Sequence, residues 1–169
     1  GGDCPDYATA VERCLEEVVG PGKPLGALAD LTAVGFKAVL AKGVSGARIV
    51  RDDVLYAMEA WTFLAPAHNP PYVAAMRAFR AVAPTVSLVA LFETAFFDRL
   101  EDAATTYALP AEWRDSHFVR RYGFHGASHR FASERALALC PKKGLRHISC
   151  HLGGSSSLAA VRDGVAVDT

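Results

Sequence analysis

The chain has 169 residues, and its 18 basic and 18 acidic side chains give a formal net charge of zero. This balance excludes the strong positive field that draws a protein to nucleic acid or to an anionic membrane surface. Apolar residues make up 51% of the chain, which is typical of a globular protein with a sizeable core, and no apolar run reaches the roughly 18 residues of a membrane span.

The first half of the chain predicts an alternation of helices and strands. Apolar residues recur at helical spacing over residues 7–19, with Asp6 as the N-cap. The apolar and β-branched stretch LTAVGFKAVL, residues 31–40, predicts a buried strand. Asp52 and Asp53 are placed to cap a second helix. Its predicted apolar stripe consists of Val54, Leu55, Met58, Trp61 and Leu64.

The middle of the chain predicts a third helix and a second strand. Pro70 and Pro71 suit the first turn of a helix, and the continuous apolar run VSLVALF, residues 86–92, predicts a strand. Short helical turns are expected between residues 93 and 117. A longer helix is predicted over residues 126–139, opened by Ser128.

The last third of the chain changes from helical to strand periodicity. HISCHL (147–152), SLAAV (157–161) and VAVDT (165–169) each predict a short strand. Asp163-Gly164 is a dipeptide that favours a tight hairpin turn. The sequence as a whole therefore predicts an α/β fold.

Neither the cysteines nor the amino-terminal residues indicate an oxidising compartment. Cys4, Cys14, Cys140 and Cys150 form no CxxC pair, which favours reduced thiols over a zinc knuckle or a disulfide framework. The amino-terminal residues turn polar at once, unlike a secretory signal. We expect a cytoplasmic protein that binds neither nucleic acid nor membrane.

Two features stand where α/β proteins bind ligands. Glu93 directly follows the apolar strand, and a carboxylate at that end of a strand serves as a base or holds a cation, unless it only caps a helix or faces solvent. HLGGSSS, residues 151–157, joins two strands with two glycines, so its backbone can offer N–H groups to a phosphate. A plain Gly-Ser hairpin is the alternative.

Histidines suggest two kinds of site. His125 and His129 are four residues apart, and His147 and His151 share a strand face, so a zinc site is one hypothesis. His125, however, precedes the predicted start of its helix, and no HExxH motif supplies a general base. A histidine beside glycines better suits stabilisation of an anionic transition state. His129 is alternatively a core histidine with satisfied hydrogen bonds.

Two further polar residues are ambiguous by themselves. Lys37 lies inside an apolar strand, where a charge needs a partner or a ligand unless it points to solvent. His68, in the segment PAHNPP, is equally compatible with a fixed turn.

Six motifs, in their order and spacing, resemble the acetate kinase family. They are HNPP (68–71), FETAF (92–96), YALP (107–110), RRYGFHGASHR (120–130), CHLGGSSS (150–157) and VDT (167–169). The resemblance covers nearly the whole chain. It implies the ribonuclease H-like, actin-like kinase fold of the acetate and sugar kinases, in which two α/β domains with mixed sheets and flanking helices close over a nucleotide.

The resemblance also implies a domain organisation. Residues 1–92 are expected to be the carboxy-terminal part of the first α/β domain, and residues 93–169 the amino-terminal part of the second, nucleotide-binding domain. We expect the chain to be a central portion of the enzyme that is inactive alone, and the family works as a homodimer.

Site residues follow from the same motifs. Glu93 and His125 are implied to be catalytic, Glu93 at the metal or as acid or base, and His125 against the phosphoryl group in flight. The implied substrate-binding residues are Lys37, Val39, Ala67, His68 and Phe124. The implied nucleotide-phosphate loop consists of His151, Leu152, Gly153, Gly154 and Ser155. The implied cofactor is Mg²⁺ with ATP or ADP, and no dedicated metal ligand is assigned.

The sequence departs from the family pattern at several of these places. Glu93 replaces an aspartate, Gly154 an asparagine, and residues 40–42 a histidine-glycine-glycine. Lys37 replaces an arginine. The lysine keeps the positive charge but lacks the planar guanidinium that forms two hydrogen bonds with a carboxylate. Ala67 is smaller than the usual leucine, so we expect room for propionate or a larger acid.

The implied function is reversible transfer of the γ-phosphate of ATP to a short-chain carboxylate, acetate or propionate, which gives an acyl phosphate and ADP. Phosphoryl transfer needs positioning and neutralisation of spread negative charge more than covalent help. A histidine and backbone amides supply both. The alternative is a non-catalytic nucleotide-binding or regulatory relative, marked by the substitutions at Lys37, Glu93 and Gly154.

Overall fold

The computed structural model describes residues 4–169, which divide into two compact units, one ending at Phe92 and the other starting at Glu93. Throughout these residues, no helix has both the length and the apolar character needed to cross a membrane. The four cysteines are exposed and free.

The first unit contains three helices and a mixed three-stranded sheet. Its helices are α1 (Tyr7–Val18), α2 (Asp52–Ala60) and α3 (Asn69–Val82), with a 3₁₀ turn at Leu28–Asp30, and its strands are β1 (Ala33–Ala38), β2 (Ala47–Ile49) and β3 (Ser87–Phe92). The central strand β3 runs parallel to β1 and antiparallel to β2. Helices α2 and α3 and the sheet share one apolar core, which includes Leu55, Met58, Met76, Leu88 and Phe92.

The caps of these helices agree with the sequence in two of three cases. The Asp6 side chain accepts the backbone N–H of Thr9 at the start of α1, and prolines occupy the first turn of α3. At α2 the N-cap is Arg51, and Asp52 and Asp53 lie within the first turn. There their charges still suit the positive end of the helix dipole.

The structure differs from the prediction at β1, which was expected to be buried, and at β2, which was not predicted. β1 lies at the sheet edge, and its residues alternate between exposed and partly buried up to Lys37, while Ala38 at its end is fully buried. Most of β1 is therefore not a buried strand. The apolar stripe of α2 also stops early, because the helix ends at Ala60 and Leu64 is exposed. The three residues of β2 are all exposed.

The second unit packs helices against an antiparallel meander. After a 3₁₀ helix at Glu93–Phe97 come α4 (Asp102–Thr105), α5 (Ala111–His117), α6 (Gly126–Leu139), β4 (Arg146–Leu152), β5 (Ser156–Arg162) and β6 (Val165–Asp168). The strands are ordered β4-β5-β6. Positive φ angles at Asp163 and Gly164, 50° and 81°, confirm the tight turn between β5 and β6. A small core contains Phe97, Leu100, Ala159, Val161 and Ala166.

Candidate functional site

The segment RRYGFHG owes its glycines to close packing within the second unit. Gly123 has a φ of +75°, and a Cβ there would overlap the ring of Phe97. At Gly126, a Cβ would overlap the backbone carbonyl oxygen of Glu93. Both positions therefore require glycine. Gly126 brings the first turn of α6 directly against the residue that follows β3.

His125 is the N-cap of α6 and adopts a left-handed backbone, with φ 55° and ψ 32°. A non-glycine residue pays about 1 kcal/mol for this conformation, and such residues cluster at functional sites. Its carbonyl accepts the first helical hydrogen bond, from the N–H of His129 at 3.0 Å. Its ring does not cap the helix but turns toward the sheet.

The ring of His125 stacks on the ring of His151. Their centroids are 4.0 Å apart and their planes differ by 18°. His151 comes from β4 and lies opposite Ser157 of β5 in the sheet register. The Nδ1 of His125 is 2.7 Å from the hydroxyl of Ser157. The helix cap and the start of the glycine loop thus meet in one place.

His129 lies behind this stacked pair and is fully buried. Its Nδ1 is 2.8 Å from the Ser149 hydroxyl, and its Nε2 is 2.8 Å from the Ser157 hydroxyl. Burial lowers the pKa of His129, and the neighbouring His125 and His151 lower it further, while the carboxylate of Glu93 acts in the opposite direction. His129 is therefore a neutral, satisfied core histidine, which was one of the two interpretations of the sequence.

The glycine loop between β4 and β5 is short and exposed. Only three residues, Gly153, Gly154 and Ser155, separate the paired Leu152 and Ser156. A Cβ on Gly153 would lie 3.1 Å from Nε2 of His151, whereas one on Gly154 would meet nothing within 4 Å. The loop backbone is thus open to an approaching group. The Leu152 side chain is 78% exposed.

Serine hydroxyls of α6 contact two histidines of β4, His151 beside the loop and His147 near the other end of the strand. Ser128, in the first turn of α6, places its hydroxyl 3.0 Å from Nδ1 of His151. Ser128 was expected to open the helix, but His125 occupies the cap and Ser128 instead contacts the loop histidine. The hydroxyl of Ser133 donates to the carbonyl of His129 at 2.7 Å and lies 3.1 Å from Nε2 of His147.

Glu93 begins the 3₁₀ helix after β3 and is 7% exposed. Gly126 packs against the backbone carbonyl of Glu93, and the carboxylate of Glu93 acts to raise the pKa of His129. Glu93 therefore lies in the second unit beside the histidines. Phe124, the neighbour of His125, is 41% exposed.

The remaining predicted substrate residues belong to the first unit. Lys37 is exposed on β1, and Val39 is buried just beyond its end. Ala67 and His68 are exposed in the turn before α3, where the His68 ring lies 6.3 Å from the ring of Tyr72. The buried amide of Asn69 fixes this turn by donating to the carbonyls of Met58 and Leu40, at 2.8 and 3.2 Å.

The side chains that could bind a metal suit Mg²⁺ better than Zn²⁺. Among residues 4–169, no group of three or more His, Cys, Asp or Glu side chains is arranged to hold a metal ion, so the zinc hypothesis has no support here. Mg²⁺ is commonly held by one or two carboxylates together with substrate phosphates. A single buried carboxylate, Glu93, fits that pattern.

Sequence reasoning missed the serines that organise the site. Ser149, Ser157 and Ser128 contact the three histidine rings. Ser157 and Ser128 lie inside two of the family motifs, but neither was predicted to contact a histidine. A signal was present in the strand period, because His147, Ser149 and His151 alternate along β4 and face α6. The role of Ser157 depended on the register of β4 and β5, which the sequence did not specify.

Comparison with known proteins matches the whole chain. A family model described as the Acetokinase family covers residues 1–169. An acetate kinase from Shouchella clausii is 38% identical over 170 residues, and an acetate kinase 2 from Listeria monocytogenes is 38% identical over 174 residues. Each alignment covers 99% of this chain and 43% of the relative. The chain thus spans less than half the length of these relatives.

Solved structures agree with the sequence matches. Porphyromonas gingivalis acetate kinase superposes with a TM-score of 0.84 at 32% identity, over 99% of this chain and 43% of that one. A propionate kinase from Francisella tularensis gives a TM-score of 0.83 at 30% identity, over 96% and 41%. These matches confirm the predicted α/β kinase fold. The chain belongs to the acetokinase family.

Proposed function

We propose that this chain is the central part of an enzyme that transfers the γ-phosphate of ATP reversibly to a short-chain carboxylate, acetate or propionate, and forms an acyl phosphate and ADP. The observation that carries the proposal is the stacking of His125 on His151 at the mouth of the glycine loop. This contact brings an N–H-donating ring next to the exposed backbone of the loop.

The chemistry of the transfer suits these groups. The transferring phosphoryl group spreads negative charge over its oxygens and needs donors that are already in position. His125 is fixed by its backbone cap and by Ser157, so it can meet the oxygens without reorganisation. The loop that starts at His151 binds the nucleotide phosphates through backbone N–H groups, with Leu152, Gly153, Gly154 and Ser155 forming its exposed bend.

Glu93 provides the oxygen ligand or the acid-base group of the site. Mg²⁺, when bound with the nucleotide, neutralises phosphate charge, and a buried carboxylate beside the histidines suits a cation carried by phosphates. Glu93 also keeps its carboxylate where the family has aspartate, one methylene farther from the backbone.

The substrate end of the site is proposed from the family motifs. Lys37 and His68 hold the carboxylate, and Val39, Ala67 and Phe124 line the pocket for its acyl tail. Lys37 offers one compact charge in place of a planar fork, so the carboxylate is held less rigidly than by arginine. The working form is proposed to be a cytoplasmic homodimer.

The test is acyl phosphate formation by the full-length enzyme that contains this chain. Purified enzyme with ATP, Mg²⁺ and acetate or propionate should give acyl phosphate, detected as the hydroxamate, and ADP in equal amounts. Nucleotide binding is measured in parallel. Binding without any product would contradict the proposed activity and favour the non-catalytic relative.

A further inference from the structure

The hydrogen bonds behind His125 form a continuous chain within the second unit. It runs from the Ser149 hydroxyl to Nδ1 of His129, from Nε2 of His129 to the Ser157 hydroxyl, and from that hydroxyl to Nδ1 of His125. Each step is 2.7 or 2.8 Å. We call these four residues the serine-histidine relay. Its inner end is buried, and its outer end is the ring in the proposed site.

The bonding capacity of Ser157 restricts how the relay can be protonated. A hydroxyl has one hydrogen, so Ser157 can donate to only one of the two imidazole nitrogens that it contacts. A neutral imidazole has one N–H and one bare nitrogen. If Ser157 donates to His125, then His129 must donate its Nε2–H to Ser157, and Ser149 donates to Nδ1 of His129.

That direction of donation has a consequence for the reacting ring. When Nδ1 of a neutral His125 accepts from Ser157, the ring proton resides on Nε2, the opposite edge. A phosphoryl oxygen accepts hydrogen bonds, so this tautomer presents the donor that it needs. The reverse direction would place the proton of neutral His125 on Nδ1 and remove that donor. Burial keeps His129 neutral, as the relay requires.

We propose that Ser157, held by His129, is a positioning residue that sets the orientation and the Nε2–H tautomer of His125 for phosphoryl transfer. The part that concerns catalysis rests on the proposed function. Ser157 also lies directly opposite His151 in the register of β4 and β5. One side chain of the sheet thereby fixes His125 against the ring on which it stacks.

The test uses Ser157→Ala, Ser157→Thr and Ser133→Ala in the full-length enzyme. Ser157→Ala removes the hydroxyl with little change in volume, and Ser157→Thr restores it on a residue that suits a strand. Ser133→Ala is the matched control, because it removes a buried hydroxyl that bonds His129 and His147 outside the relay. Like Ser157→Ala, Ser133→Ala should lower the stability of the fold, but it removes no group that contacts His125.

We expect kcat of Ser157→Ala to fall by roughly 10- to 100-fold, with KM for ATP and for the carboxylate changed by less than about threefold. Ser157→Thr should recover most of kcat, and Ser133→Ala should not reproduce the loss. An unchanged kcat in Ser157→Ala, or an equal loss in Ser133→Ala, would overturn the positioning role.

A second measurement does not depend on turnover. The imidazole ¹⁵N spectrum of the enzyme, recorded where His125 is neutral, should show an unprotonated, hydrogen-bonded Nδ1 and a protonated Nε2. The Nδ1 resonance should move in Ser157→Ala and stay in place in Ser133→Ala. If the wild-type enzyme makes no acyl phosphate, the proposed function fails and this spectrum alone decides the relay. If Ser157→Ala leaves the Nδ1 resonance of His125 unchanged, the positioning role of Ser157 is ruled out whether or not the enzyme is active.

Discussion

At the scale of single residues, His129 shows how burial decides the state of a titratable group. Its ring has no exposed surface, and two serine hydroxyls satisfy its nitrogens. Adding a proton would place a charge in this buried position beside two other histidines. The neutral ring is therefore the stable form in the folded protein, and its pKa lies below the ordinary value of 6.5.

This lowered pKa predicts an acid-sensitive fold. Below about pH 6.5 the unfolded chain binds a proton at His129 that the folded chain resists, so the free energy of unfolding falls as the pH falls. Above that pH the contribution of His129 is complete. Denaturant unfolding of the full-length protein at about pH 7.5 and pH 5.5 should show this loss for the wild type.

His129→Gln serves as the comparison, because glutamine keeps hydrogen-bonding groups and does not titrate. Its stability should be lower at neutral pH but should depend less on pH over the same interval. A variant whose stability falls with acid as steeply as that of the wild type would show that His129 is not the group responsible.

At the scale of elements, the start of α6 depends on its close approach to Glu93. Gly126→Ala would force the new methyl group into the carbonyl oxygen of Glu93, so either the helix or the 3₁₀ turn must shift. We expect the free energy of unfolding to fall by about 1–3 kcal/mol, the usual cost of overpacking. Gly154→Ala is the stability control, because its Cβ meets open space.

Equilibrium denaturation of the two full-length variants checks this prediction. Gly154→Ala should unfold within about 0.5 kcal/mol of the wild type, as an exposed substitution does. Equal stability of Gly126→Ala and Gly154→Ala would mean that the packing at Glu93 is not tight.

The elements also show what a sequence can and cannot predict. Helices α1, α3 and α6, the apolar strand β3 and the meander were all predictable, because helical or strand periodicity and turn dipeptides are local signals. β2 was not, because three exposed residues carry no pattern. β1 was predicted as buried because its residues are apolar, yet its place at the sheet edge is a matter of topology.

The same distinction holds for the site. Proximity of His125 and His151 was expected from the family motifs, and the structure shows their rings stacked. The partners of these rings, Ser157 and Ser128, depend on strand register and on the placement of α6 against the sheet. Those are long-range properties, and no short segment encodes them.

At the scale of the whole molecule, the proposed function does not specify which short-chain carboxylate the enzyme prefers. Ala67, exposed in the turn before α3, is smaller than the leucine usual in the family. We expect the full-length enzyme to use propionate at least as well as acetate. One methylene in an apolar pocket changes discrimination by about 1–3 kcal/mol.

Relative kcat/KM for acetate, propionate and butyrate measures this preference. Ala67→Leu should shift the ratio toward acetate by filling the space of one or more methylenes, with little change in the KM for ATP. A wild-type enzyme that clearly prefers acetate, or an Ala67→Leu ratio equal to that of the wild type, would show that residue 67 does not set acid size.

The central claim is that His125 stabilises the phosphoryl group during transfer, and the most direct measurement is kcat of His125→Ala in the full-length enzyme beside the Kd for ATP. His117→Ala provides the control, because His117 ends α5 and is exposed. The account predicts that kcat of His125→Ala falls by roughly 100- to 1000-fold while the Kd changes little, and that His117→Ala resembles the wild type. A His125→Ala enzyme that keeps nearly all of the wild-type kcat would contradict it.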